Sequence, residues 1–139
     1  MLRAMHGFAY LFERFPSYVQ AFTHREVGGM IAQGMDPVVF TIREPEQRRT
    51  DDFPPGLLER VRVLPSAEEL VAATKAMRVA DEIPAEIWAV FKGWGENPDK
   101  ARIYEAYHVG LQLKRMRVRH VHAHFAGIAA RTAWWIRKF

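Results

Sequence analysis

The 139-residue sequence has no cysteine, which excludes both a disulfide scaffold and any thiolate metal site. No apolar run approaches the roughly 18–20 residues that a bilayer-spanning helix needs. The opening residues, Met1-Leu2-Arg3-Ala4-Met5-His6-Gly7, lack the apolar stretch and small-residue cleavage site of a secretory signal. There is no internal repeat and no low-complexity tract. These absences leave an intracellular, cytoplasmic domain as the expectation. The length suits one core and not two, since a chain of about 150 residues buries roughly 68–70% of its unfolded surface. With 49% hydrophobic and 26% charged residues, the composition is that of a folded domain and not of a disordered tail.

Acidic residues are nearly missing from the last third. Residues 100–139 hold nine Lys/Arg against one acid, Glu105, whereas residues 1–99 hold eleven against fifteen, and the whole carries +4. Such asymmetry points the C-terminal third toward an anionic partner, whether nucleic acid, phospholipid or a phosphorylated ligand. A solvated basic helix face is the alternative.

The pattern of apolar residues reads as alternating strands and helices. Residues 7–12 form a nearly continuous apolar run, as expected of a strand buried on both faces. Arg14-Phe15-Pro16 breaks it, and Ser17 stands three residues before Gln20 at capping-box spacing. Val19, Phe22, Val27, Met30 and Ile31 make a helical stripe that Gly34 stops. A β-branched strand follows over residues 38–42. Two buried strands joined by a helix imply a parallel crossover. Residues 44–56 read as a proline-bearing loop and 60–65 as a third strand. Ser66 and Glu69 form a second capping box before another helix. Further helices cover residues 84–92, ended by Gly93-Trp94-Gly95, and a stretch from Asn97-Pro98 to Met116. A fourth strand spans 118–125, and a last helix spans 128–139 with Trp134 and Trp135 near its end. At least one of those tryptophans is expected in the core, since adjacent helix residues face different ways. The fold class expected is α/β: a Rossmann-like, open, mainly parallel sheet with helices on both faces.

In such sheets the ligand crevice lies at the carboxyl ends of the strands. One candidate is the turn after the first strand, Glu13-Arg14-Phe15-Pro16-Ser17, where a helix N-terminus can hold an anion. It has no glycine-rich phosphate fingerprint. Arg14 could supply a positive group there, but a lone arginine beside Glu13 is more often a surface ion pair. The other candidate is His122-Ala123-His124-Phe125-Ala126-Gly127. His120, His122 and His124 alternate and would share one side of a strand, a pattern compatible with zinc. No third kind of ligand stands at an obvious spacing, so no metal residue is expected; imidazoles satisfied by backbone groups are the commoner arrangement. Lys114, Arg115, Arg117 and Arg119, interleaved with Leu111, Leu113 and Met116, suit an anionic membrane surface or a solvated face. A nucleic-acid partner is not expected, for want of a stacking platform or reading helix.

Two of these stretches together resemble the N-terminal domain of glycosyltransferase family 4 enzymes. Members often carry F-P-x-x-S-E-T-F-I-x-x-E-I after the first strand. Here Phe15-Pro16-Ser17-Tyr18-Val19-Gln20-Ala21-Phe22-Thr23-His24-Arg25-Glu26-Val27 stands in its place, followed by Gln33-Gly34 and by Val38-Val39-Phe40-Thr41-Ile42-Arg43. Later, His120-Val121-His122-Ala123-His124-Phe125-Ala126 looks like the family's H-I-H-A-H-F strand. The family's S-E-T is replaced by Val19-Gln20-Ala21, which removes a carboxylate and two hydroxyls.

The resemblance implies the acceptor-side half of a retaining, metal-independent GT-B enzyme of polysaccharide biosynthesis. Its partners would be a nucleotide-sugar donor and a glycan or lipid-linked acceptor, with no further cofactor. Residues 1–139 would be one Rossmann-like domain, incomplete at its C-terminal end, with the donor domain outside it. The family's active-site histidine follows a later strand, so no catalytic residue is expected here and the chain alone would be inactive. Arg14, Phe15, Pro16, Ser17, Gln20, His122, His124 and Phe125 would line the acceptor cleft. Lys114, Arg115, Arg117 and Arg119 would lie against the inner face of the plasma membrane, making the protein peripheral. Apolar surface left without cover would favour a homo-oligomer. Two other readings stay open: a non-catalytic module that binds a partner protein or membrane, and a metal-dependent hydrolase built on the three histidines.

Overall fold

A computed structural model describes residues 7–45, 53–93 and 99–139. Strand β1 (Ala9–Arg14) is followed by a 3-10 turn (Tyr18–Gln20) and helix α1 (Ala21–Ala32), then β2 (Val38–Arg43). A second 3-10 turn (Leu58–Arg60) leads into β3 (Val61–Val63), and α2 (Ala67–Val79), α3 (Ala85–Lys92) and α4 (Lys100–Met116) follow. The chain closes with β4 (Val121–Ala123) and α5 (Ile128–Ile136). The four strands form one all-parallel sheet in the order β3-β2-β1-β4. This is the Rossmann-like α/β architecture expected.

Both faces of the sheet are covered, which explains the unbroken apolar runs of β1 and β2. Ala9, Leu11, Val38, Phe40 and Ile42 face one way and pack on Val109 and Leu113 of α4 and Ala129 of α5. Tyr10, Phe12 and Val39 face the other way, onto Val27 of α1 and onto Phe53 and Leu57. A smaller cluster joins Ile103 and Ala106 of α4 to Trp135 of α5. Trp135 is the tryptophan in the core, while Trp134 is exposed beside Arg137 and Lys138.

Several boundaries differ from the sequence reading, each for a local reason. β1 runs on to Arg14, because its register with β2 continues to Arg14 opposite Arg43. β3 and β4 are only three residues each. The β4 ladder is nevertheless extended by single bonds at each end, from the Ala9 amide to the His120 carbonyl and from the His124 amide to the Leu11 carbonyl. Ser17 does not cap α1 through its side chain; a 3-10 turn intervenes, and the Ser17 carbonyl accepts the Gln20 amide. Ser66 does form a reciprocal capping box with Glu69. α5 ends at Ile136, before the chain end. α4 starts at Lys100 behind Asp99, and the Trp94-Gly95 and Asn97-Pro98 signals lie outside the described residues.

Candidate functional site

The chain moves outward from β1 through β2 to β3, then returns through three helices to place β4 on the other side of β1. The pair β1/β4 is therefore the point at which strand order reverses, where open α/β sheets bind ligands. A cleft of about 220 Å³ opens there, at the carboxyl ends of the two strands. Glu13, Arg14, Ser17, Val19 and Gln20 line it from the β1–α1 turn, and His124, Phe125, Gly127 and Ile128 from the β4–α5 turn. Two stretches a hundred residues apart in sequence thus form one wall.

The β1–α1 side is held from below. Phe15 is fully buried and stacks on Phe12 with ring centroids 4.3 Å apart. Its amide donates to the Thr41 hydroxyl on β2 at 2.9 Å, and that hydroxyl donates in turn to the Arg43 carbonyl at 2.8 Å. The Phe15–Pro16 peptide is cis. Phe15 and Pro16 therefore sit beneath the cleft and shape it; Arg14, Ser17 and Gln20 are the predicted residues on its surface. Arg14 does not pair with Glu13: its guanidinium donates to the Glu44 carbonyl, while Glu13 takes Arg43 at 3.3 Å.

On the β4 side the His124 ring is clamped by aromatic neighbours. Phe12 lies parallel to it at 4.8 Å, and Tyr10 at 5.9 Å. Phe125 follows with φ +65, a left-handed conformation that a bulky side chain adopts only under constraint. That conformation leaves its ring half exposed, edge-on to Phe22 of α1. Gly127 then precedes α5, whose first turn has no acidic residue and no side-chain cap, and the Glu13 carboxylate lies beside Gly127 in the cleft wall.

His122 and His124 come together beside α1. Their rings meet at 4.8 Å on the α1 face, while His120 is exposed and outside the group. Glu26 of α1 joins them: its Oε2 lies 3.5 Å from His124 Nε2, and its Oε1 accepts the Tyr10 hydroxyl at 3.0 Å. Burial, reinforced by this carboxylate, pushes the Tyr10 phenol well above the ordinary tyrosine range. Glu13 stood in the candidate turn; Glu26 and Thr41 are site residues that the sequence reading did not single out. Only the fold brings them in, since none stands at a recognisable spacing from the histidines.

A second, open basin of about 830 Å³ lies at the carboxyl ends of β2 and β3, among Arg14, Arg43, Arg102 and Glu105. The basic residues Lys114, Arg115, Arg117 and Arg119 are exposed, but at the amino end of β4, the end of the sheet away from the cleft. Among the described residues no helix is long and apolar enough to cross a membrane. No family model matches the chain, and neither a curated protein nor a solved structure matches it.

Proposed function

We propose that this chain is the acceptor-side domain of a retaining glycosyltransferase that moves a sugar from a nucleotide-sugar donor to a glycan or lipid-linked acceptor in polysaccharide biosynthesis. One observation carries the reading. Parts of the two stretches that resemble family 4 glycosyltransferases meet in a single cleft at the strand-order switch: Ser17, Val19 and Gln20 from the first, over the buried Phe15-Pro16, and His124 and Phe125 from the second, while His122 lies outside its lining. Arg14 and Gln20 offer hydrogen-bond donors to an oxygen-rich ligand, beside the N-terminal end of α5. Phe125 and Val19 supply apolar contact beside them, the mixture that sugar rings with one polar edge and one apolar face require.

Stabilising the leaving diphosphate needs donors aimed at it, and in this reading those belong to a second, donor-binding domain. The chain by itself accordingly binds acceptor without transferring sugar. The test is an NMR titration of the chain with lipid-diphosphate-linked and free oligosaccharide acceptors, run beside a transfer assay with a panel of nucleotide sugars. Saturable shifts at Arg14, Gln20, His124 and Phe125 with no transfer support the reading. Transfer by the chain alone, or shifts confined to other surfaces, refutes it.

A further inference from the structure

Glu26, His122 and His124 present one oxygen and two nitrogen donors that all lie within 4.8 Å of one another. We infer that they form a binding site for a divalent transition cation of the zinc class. The donors come from separate elements, α1 and the β4 segment, and converge over Tyr10 of β1. Two ligands bound at about 2.0–2.1 Å with a tetrahedral angle stand about 3.3 Å apart. The Glu26 Oε2 to His124 Nε2 separation of 3.5 Å already approaches that edge. His124 Nε2 is buried with no hydrogen-bond partner, so one nitrogen donor of the set is held away from solvent and unsatisfied. His122 and Glu26 are exposed, and side-chain rotation alone can close the remaining gap.

The surroundings supply the outer contacts that metal ligands need. The Tyr10 hydroxyl holds Glu26 Oε1, leaving Oε2 as a single-oxygen ligand. Phe12 and Tyr10 fix the plane of the His124 ring. Two imidazoles and one carboxylate suit zinc, cobalt or nickel; magnesium and calcium, which want oxygen, are disfavoured. Three protein donors leave a fourth position for water or an oxygen of a bound molecule. His124 also lines the cleft, so the ion would sit in its wall. The transferase reading requires no metal, and either proposal can fail without the other.

The untagged chain, freed of metal with a chelator, is titrated with cobalt(II) and then with zinc. One equivalent of cobalt should give the intense visible d–d bands of a four-coordinate site, and zinc should abolish them. Glu26→Gln and His122→Ala should each weaken binding by at least about tenfold, and His120→Ala should not. Both ligand positions are exposed, so circular dichroism should show these variants folded. A spectrum that stays that of the aqueous ion overturns the inference, as does binding indifferent to both ligand substitutions or equally sensitive to His120→Ala.

Discussion

The Thr41 hydroxyl of β2 accepts the Phe15 amide at 2.9 Å, so the turn that forms one side of the cleft is fastened to the neighbouring strand. Phe15 is fully buried and Thr41 equally so. Thr41→Val keeps the shape and removes the side-chain oxygen that accepts that amide. A buried donor left without a partner costs about 1–3 kcal/mol, and urea denaturation should show a loss of that size. Thr41→Ser, which keeps the hydroxyl, should lose about 1 kcal/mol or less. Acceptor binding should follow the same order, because Thr41 acts by positioning the turn and touches no ligand.

The one acid of the basic C-terminal third is buried. Glu105 on α4 accepts Arg102 at 2.7 Å and the Thr132 hydroxyl of α5 at 2.9 Å. Burial raises its pKa, and Arg102 and the two hydrogen bonds only partly oppose that. The folded chain therefore holds this proton more tightly than the unfolded one. The stabilisation from it is full below the unfolded value, near 4.5, and is lost as pH rises through the raised folded value. Relative to Glu105→Gln, wild-type stability should fall with rising pH across that window and level off above it. At neutral pH, Glu105→Ala strands Arg102 and should cost about 3–5 kcal/mol, whereas Arg102→Met with Glu105→Leu together should be far milder. A double-mutant cycle in urea measures both.

Two non-glycine residues in left-handed conformation should respond oppositely in function. Arg117, at φ +59, ends α4 in a Schellman motif: the Val118 amide bonds the Leu113 carbonyl and the Arg117 amide the Lys114 carbonyl. Glycine is the usual residue there, so Arg117→Gly should raise stability by about 1 kcal/mol and leave cleft binding alone. Phe125→Gly relieves the same backbone cost but removes an exposed ring from the cleft. Its stability should stay within about 1 kcal/mol of wild type while acceptor affinity drops about tenfold. Melting curves and a binding titration on both variants check the contrast.

What could be read from the sequence depended on how local the cause was. The β1 and β2 runs were legible because burial on both faces writes itself as consecutive apolar residues. The Ser66–Glu69 box was legible because both of its bonds close within three residues. Ser17–Gln20 has the same spacing and a different outcome, since Ser17 is buried in the cleft wall and a 3-10 turn takes up its carbonyl. The fourth strand was read too long because it stands at an edge of the described sheet, with regular pairing only to Ala9–Leu11 of β1. Gly34 was placed correctly as the end of α1, where φ is +85. Glu26 could not be assigned to the histidines, because nearly a hundred residues separate them and only the parallel crossover brings α1 over β4.

The basic cluster and the cleft are separate devices. Residues 118–124 run in the strand direction between them, which at about 3.3 Å per residue separates the two ends by roughly 20 Å. Lys114, Arg115 and Arg117 are all exposed, and residues near an anionic surface contribute about 1 kcal/mol each. Replacing the three with Gln should therefore weaken binding to phosphatidylglycerol vesicles by roughly a hundredfold at low salt, and the wild-type binding should itself fade as salt rises. Acceptor titration shifts at His124 and Phe125 should be unchanged in the same variant, because the cluster reaches neither residue. Sedimentation with vesicles measures the first and NMR the second. Equal vesicle binding by wild type and variant makes the cluster a solvated face.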